Sequence, residues 1–188
     1  RFVEQDELYP LWRLALITGL RRGELLGLRV RDFDSQTGLI TIARTRVVVS
    51  GRTVTKEPKT KRSRRTVALD SVTSHLLRDI ADSRQDQESH IFLDGSGHGL
   101  NPGWVSRRFV VVAAQAGLPP VRFHDLRHTS ATLGLARGES LKEVSVRLGH
   151  SSVAVTGDLY VQVPTSLAQR SAQALADFLD GKKGNEAA

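Results

Sequence analysis

A chain of 188 residues, 39% of them hydrophobic, can build one large domain or two small ones around a packed core. It has no cysteine, which excludes disulfides, a thiol nucleophile and thiolate zinc sites. No apolar run nears the roughly 18 residues of a membrane-crossing helix. The net charge is +7, and the charge is unevenly distributed. Between Arg44 and Arg65 stand nine basic side chains (Arg44, Arg46, Arg52, Lys56, Lys59, Lys61, Arg62, Arg64 and Arg65) and one acid, Glu57. That segment carries more positive charge than the whole chain's net value, so the remainder is close to neutral. A patch this focused suits a polyanion, whether DNA, RNA or an anionic membrane. Methionine is absent too, from which a part lying upstream is expected.

In chain order, residues 6–20 predict a helix with Asp6 as N-cap and Leu8, Leu11, Trp12, Ala15 and Leu16 on one face. Gly19 ends it, and a short helix follows over 24–28. Strands are expected at 39–43, 46–49 and 65–69, with Ser50-Gly51 as a turn, giving a small antiparallel sheet that carries the basic cluster. Helices are then expected over 71–83, 101–116, 124–137, 140–148, 152–161 and 165–180, with a glycine-rich loop at 94–99. Residues 181–188 read as a frayed tail.

Four stretches could carry chemistry. His124 and Arg127, three apart on a helix, put an imidazole beside a guanidinium, a pairing that suits a phosphate. Leu148-Gly149-His150-Ser151-Ser152 is followed by Tyr160, ten residues after the histidine. In Thr18-Gly19-Leu20-Arg21-Arg22-Gly23-Glu24, Arg21 lies between two helices and Glu24 can hold it. Pro58-Lys59-Thr60-Lys61-Arg62-Ser63-Arg64-Arg65 is a basic connection between strands. Alone, each has an ordinary reading: a helix cap, a core tyrosine, a surface ion pair, a solvated hairpin tip.

Together and in this order, the four stretches resemble the tyrosine recombinase (phage integrase) family. That family has a Thr-Gly-x-Arg-x-x-Glu block, a hairpin lysine, His-x-x-Arg, Leu-Gly-His and a tyrosine nine or ten residues later. The resemblance implies an α+β fold, a mainly helical catalytic domain with a small antiparallel sheet in its N-terminal third. It implies that Arg21 and Arg127 grip the scissile phosphate, that His124 and His150 complete the phosphate site, and that Tyr160 is the nucleophile. Lys59 matches the hairpin lysine, with Lys56 and Lys61 near enough to compete for the role, and Glu24 matches the acid that supports the first arginine. Arg44, Arg46, Lys56, Lys61, Arg62, Arg64 and Arg65 are the expected DNA-binding residues of the basic cluster. The resemblance further implies a DNA-clamping helical domain upstream and residues 165–180 docking on a neighbouring subunit. The implied partners are double-stranded DNA attachment sites, a homo-tetramer on that DNA and an accessory directionality factor, with no cofactor, in a prokaryotic or phage-infected cytoplasm.

These residue types suit the reaction. Two guanidinium groups offset the charge that builds on phosphorus without needing a metal. A phenol with a pKa of about 10 needs a base or a positive field to attack. His124 is the candidate base and Lys59 the candidate acid for the leaving 5′ oxygen. A phosphotyrosyl ester resembles the original phosphodiester in energy, so the step reverses without ATP. Asp32 and Asp34, which could suggest a two-metal nuclease, read as turn or cap residues. Two other readings remain open: a DNA-binding module that does not cut, and a topoisomerase-like enzyme with the same nucleophile.

Overall fold

Leucines and aromatic residues at helical spacing begin the core. The computed structural model describes residues 2–57 and 64–150, and helix α1 spans Tyr9–Thr18 with Pro10 in its first turn. Helix α1 starts later than the expected residue 6. The Asp6 carboxylate instead accepts from the Leu8 N–H at 2.9 Å and from Trp12 Nε1 at 3.1 Å. A short acidic side chain that bonds two residues on favours a turn over a helix. Leu11, Trp12, Leu14 and Ala15 are buried, and Trp12 meets Phe109 and Phe123 in a trio with ring centroids 5.6–5.9 Å apart.

Gly19 stops α1 at a φ of 63°, its N–H bonding to the Ala15 carbonyl. A Cβ there would also collide with the Leu148 side chain, so the glycine allows two chain segments to approach closely. Helix α2, Arg22–Leu26, follows after three residues. Its Gly23 and the capping Gly27 lie against the backbone of the next strand pair: a Cβ on Gly23 would stand 2.8 Å from the Arg46 carbonyl oxygen, and one on Gly27 3.0 Å from that of Arg44.

The strands form two sheets where one was expected. Strands β1 (Phe33–Asp34), β2 (Leu39–Ile42) and β5 (Arg65–Ala68) pair antiparallel in the order β1-β2-β5, with Ile40 opposite Val67 and Ile42 opposite Arg65. Strands β3 (Thr45–Val49) and β4 (Arg52–Lys56) form a separate hairpin through Ser50 and Gly51, whose φ values of 48° and 77° suit a tight primed turn. The break falls at Ala43-Arg44, where the Arg44 guanidinium turns inward to Asp32.

Helices α3 (Ser71–Asp82), α4 (Pro102–Gln115), α5 (Asp125–Ala136) and α6 (Leu141–Leu148) each lie within one residue of the expected ends. Their caps come from Asp70, Asn101 and Ser140, and Gly149 closes α6 at a φ of 69°. The main core spans α1, α2, the three-stranded sheet, α3 and α4. A smaller cluster of Ala131, Leu135, Val144 and Leu148 joins α5 to α6. The helices expected over 152–161 and 165–180, and the tail, lie outside the described residues.

Candidate active site

The site begins where α1 ends. Arg21 is the N-cap of α2 in extended conformation, and its N–H donates to Glu24 Oε2 at 2.9 Å. Its guanidinium, 48% exposed, donates to Glu24 Oε1 at 3.2 Å and reaches the Gly149 carbonyl oxygen at 3.5 Å. Arg127, in the first turn of α5, is only 5% exposed and donates from Nη1 to the Gly19 carbonyl oxygen at 2.7 Å. Its Nη2 is buried and has no hydrogen-bond partner among the described residues. Burial, and then the neighbouring Arg21 cation, lower the Arg127 pKa to about 10. A buried guanidinium with an unused donor, beside a second cation, suits an anion.

The histidines are set by helix ends. His150 follows the left-handed Gly149, and its N–H caps the Ser145 carbonyl at 3.0 Å. Burial, then Arg127, Arg21 and Arg65, push its pKa down to about 4. His124 is the N-cap of α5, its ring edge-on to His128 at 5.2 Å. Burial, then His128 and Arg127, lower its pKa as well. Both rings are therefore neutral near pH 7, able to accept or donate one hydrogen bond at each nitrogen as the tautomer allows.

A pH dependence follows. The folded chain keeps His150 neutral down to about pH 4, whereas the unfolded chain protonates it near 6.5. Between those values the unfolded state binds more protons, so stability is full above pH 6.5 and falls as the pH drops toward 4. His90, also lowered to about 4, acts with the same sign. Urea midpoints are expected to fall between pH 7 and pH 5, and to fall less in His150→Gln. An equal fall in that variant would count against this origin.

The expected DNA-binding set divides by what each side chain is bonded to, and three of its members are held by other parts of the chain. Arg44 is buried, with Nη1 at 2.8 Å from both oxygens of Asp32, so it faces the interior. Arg46 donates to the Leu100 carbonyl at 3.1 Å and to that of Gly99 at 2.8 Å, and lies against His90 Nε2, fastening the hairpin to the 90–100 segment. Arg65 is engaged by Glu24 and the end of α6. Charge counting could not separate these three from their neighbours, because the separation depends on which face of each strand is covered. Lys56 and Arg64 are exposed. Lys59, Lys61, Arg62 and Tyr160 lie outside the described residues.

Other residues enter the site without any sequence signal. An open cavity of about 920 Å³ is lined by Arg21, Arg22, Arg46, Ser106, Arg122 and His124, among others. Arg22 donates to Ser106 Oγ at 2.5 Å, and Arg122 pairs with Asp125 at 3.0 Å on the exposed rim. Only adjacency to Arg21 and His124 could have suggested these two arginines. Asp32 and Asp34 fill the turn roles expected of them: Asp32 accepts from the Arg29 N–H and Asp34 from those of Gln36 and Thr37.

The fold and the site together define a mainly helical domain in which Arg21 and His124 line an open cavity and Arg127 and His150 lie within electrostatic reach of Arg21. The phage integrase family matches residues 5–166, and the chain belongs to that family. It is 30% identical over 193 residues to a tyrosine recombinase XerC-like protein of Caldanaerobacter subterraneus, covering 91% of this chain and 49% of that protein. It is 28% identical to the ICEBs1 integrase of Bacillus subtilis, covering 94% of this chain and 51% of that one. The chain thus spans about half the length of these curated relatives. Among solved structures, the Tn1549 transposon integrase in complex with transposon right end DNA superposes with a TM-score of 0.80 at 22% identity, covering 93% of this chain and 62% of that one. The XerA recombinase gives 0.73 at 23% identity, covering 92% and 59%. These likenesses establish the α+β fold.

Proposed function

We propose that this chain is the catalytic domain of a site-specific DNA recombinase that cuts and rejoins strands through a 3′-phosphotyrosyl intermediate. The observation that carries the reading is the buried Arg127 guanidinium, whose Nη2 has no hydrogen-bond partner among the described residues, next to Arg21 and His150. In this reading the scissile phosphate supplies the missing anion. Arg127 and Arg21 donate to its nonbridging oxygens and stabilise the charge of the pentacoordinate transition state. The phosphate also offsets the cations that depress the two imidazoles, making His124 a stronger acceptor for the Tyr160 phenol proton. The phenolate oxygen bonds to phosphorus, the bond to the 5′ oxygen breaks, and Lys59 protonates that oxygen. A new 5′ hydroxyl reverses the step. Double-stranded attachment sites are the substrate, held within a tetramer of the chain and steered by an accessory directionality factor.

The test uses a pool of nicked duplexes of random sequence, so that the cleaved fragment diffuses away and trapped members can be sequenced. A protease-sensitive covalent adduct is expected in EDTA with the full chain, and none with Tyr160→Phe. An adduct persisting in that variant, or one requiring a divalent cation, would overturn the mechanism.

A further inference from the structure

Arg65 opens β5, and its side chain is 11% exposed. Its fork meets Glu24 with Nη1 to Oε1 at 3.1 Å and Nη2 to Oε2 at 2.9 Å. Its Nε donates to the Arg147 carbonyl oxygen, in the last turn of α6, at 3.1 Å. The same guanidinium occupies the space beside Gly149: a Cβ there would lie 2.6 Å from Cζ and 2.7 Å from Nη1. Gly149 is therefore required twice, by its left-handed backbone and by this close approach. Burial alone would raise the Glu24 pKa, but the bonds and charge of Arg65, then those of Arg21, bring it below its ordinary value. Glu24 is thus an ionised acceptor with a cation on either side.

Two parts of the site that are far apart in sequence meet on this one side chain. Through Glu24 it sets Arg21, and through Arg147 and Gly149 it sets the turn that presents His150. Arg65 is also the first residue of β5, two residues after residue 63. We propose that Arg65 is a positioning residue for phosphoryl transfer, clamping the Glu24–Arg21 end of α2 to the Leu148-Gly149-His150 turn rather than contacting DNA. The inference rests on the function proposed above. Lysine cannot replace it, since one ammonium cannot fork a carboxylate and bind a backbone carbonyl in the same plane.

Three variants, Arg65→Ala, Arg65→Lys and Gly149→Ala, test it in the full chain. Arg65→Ala is expected to slow adduct formation roughly 100-fold, the cost of a misplacement on the ångström scale, and Arg65→Lys to recover little of it. The salt dependence of DNA binding is expected to stay unchanged, whereas a lost phosphate contact would lower its slope by about one. Gly149→Ala is expected to cost less in the Arg65→Ala background than alone, because the clash partner is gone. The His150 imidazole, followed by NMR, is expected to titrate higher in Arg65→Ala, a change that a distant loss of stability would not produce. If Arg65→Ala does not fold, Arg65→Lys, which keeps the charge, carries the rate measurement, and Arg65→Gln the titration. An adduct rate within twofold of the parent in the folded Arg65 variant, or a lowered salt slope, would overturn the proposal. If the parent chain forms no adduct, the proposed function falls, and the His150 titration and the Gly149 cycle still decide whether Arg65 holds the site.

Discussion

Arg127→Ala is expected to slow covalent adduct formation by about 10²–10³, the loss that follows removal of one donor aimed at developing charge, on the order of 3–4 kcal/mol. The size follows from burial. Arg127 is held between the Gly19 carbonyl and the site, where water competes little for Nη2, which has no partner among the described residues. Arg127→Lys is expected to do nearly as badly, because a point charge cannot bond the carbonyl and present a second donor in a fixed plane. Stability should move the other way. Burial and Arg21 already lower the Arg127 pKa to about 10, so without an anion the folded domain holds this cation at a cost at neutral pH. Arg127→Met is therefore expected to be at least as resistant to urea as the parent while inactive on nicked DNA, a trade of stability against function. A variant that unfolds well before the parent would show that the Gly19 bond outweighs the charge effect. Full adduct yield in Arg127→Ala would remove Arg127 from the reaction.

The second large effect concerns a residue taken from the sequence as a DNA contact. Arg44→Ala is expected to destabilise the domain by about 3–5 kcal/mol, since it leaves Asp32 buried without its cation. The Arg44 and Asp32 side chains are 8% and 7% exposed, so little solvent is available to take over. The pair sits at the break between the two sheets, and its loss should loosen the β3–β4 hairpin that follows. Replacing both partners with apolar residues of similar volume, Arg44→Met with Asp32→Leu, is expected to recover much of the loss, because no charge is then stranded. Denaturant unfolding at neutral pH measures each. A loss under about 1 kcal/mol in the single variant would mean that Arg44 behaves as a surface residue.

Most of the elements were legible in the sequence because local rules set them. Gly19 and Gly149 stop helices by adopting positive φ, Ser140 caps α6 three residues before Glu143, and alternation placed β2 and β5. Asp6 misled because its side chain satisfied a turn before it could cap a helix. The expected small antiparallel sheet is present, but the separation of the β3–β4 hairpin from it has a longer-range setting. Nothing within 43–49 indicates that Arg44 points toward a carboxylate twelve residues earlier, at the point where the two sets of strands part.

The site divides along the same line. Residue types, spacing and order alone determined the family expectation, together with Arg21, Glu24, His124, Arg127, His150 and Tyr160 as the residues to examine, since reactive groups recur in fixed order along the chain. What the tertiary structure decided was which charges are free. Arg44, Arg46, Arg65 and the exposed Lys56 and Arg64 look alike in a basic run, yet the first three bond to groups from other segments. The sequence carries the charge of a guanidinium, but only packing determines whether its hydrogen bonds are already taken. For Arg127 one buried nitrogen has no partner among the described residues, and for Arg65 all three nitrogens are used. That difference separates a residue placed to meet a phosphate from one that holds the site together.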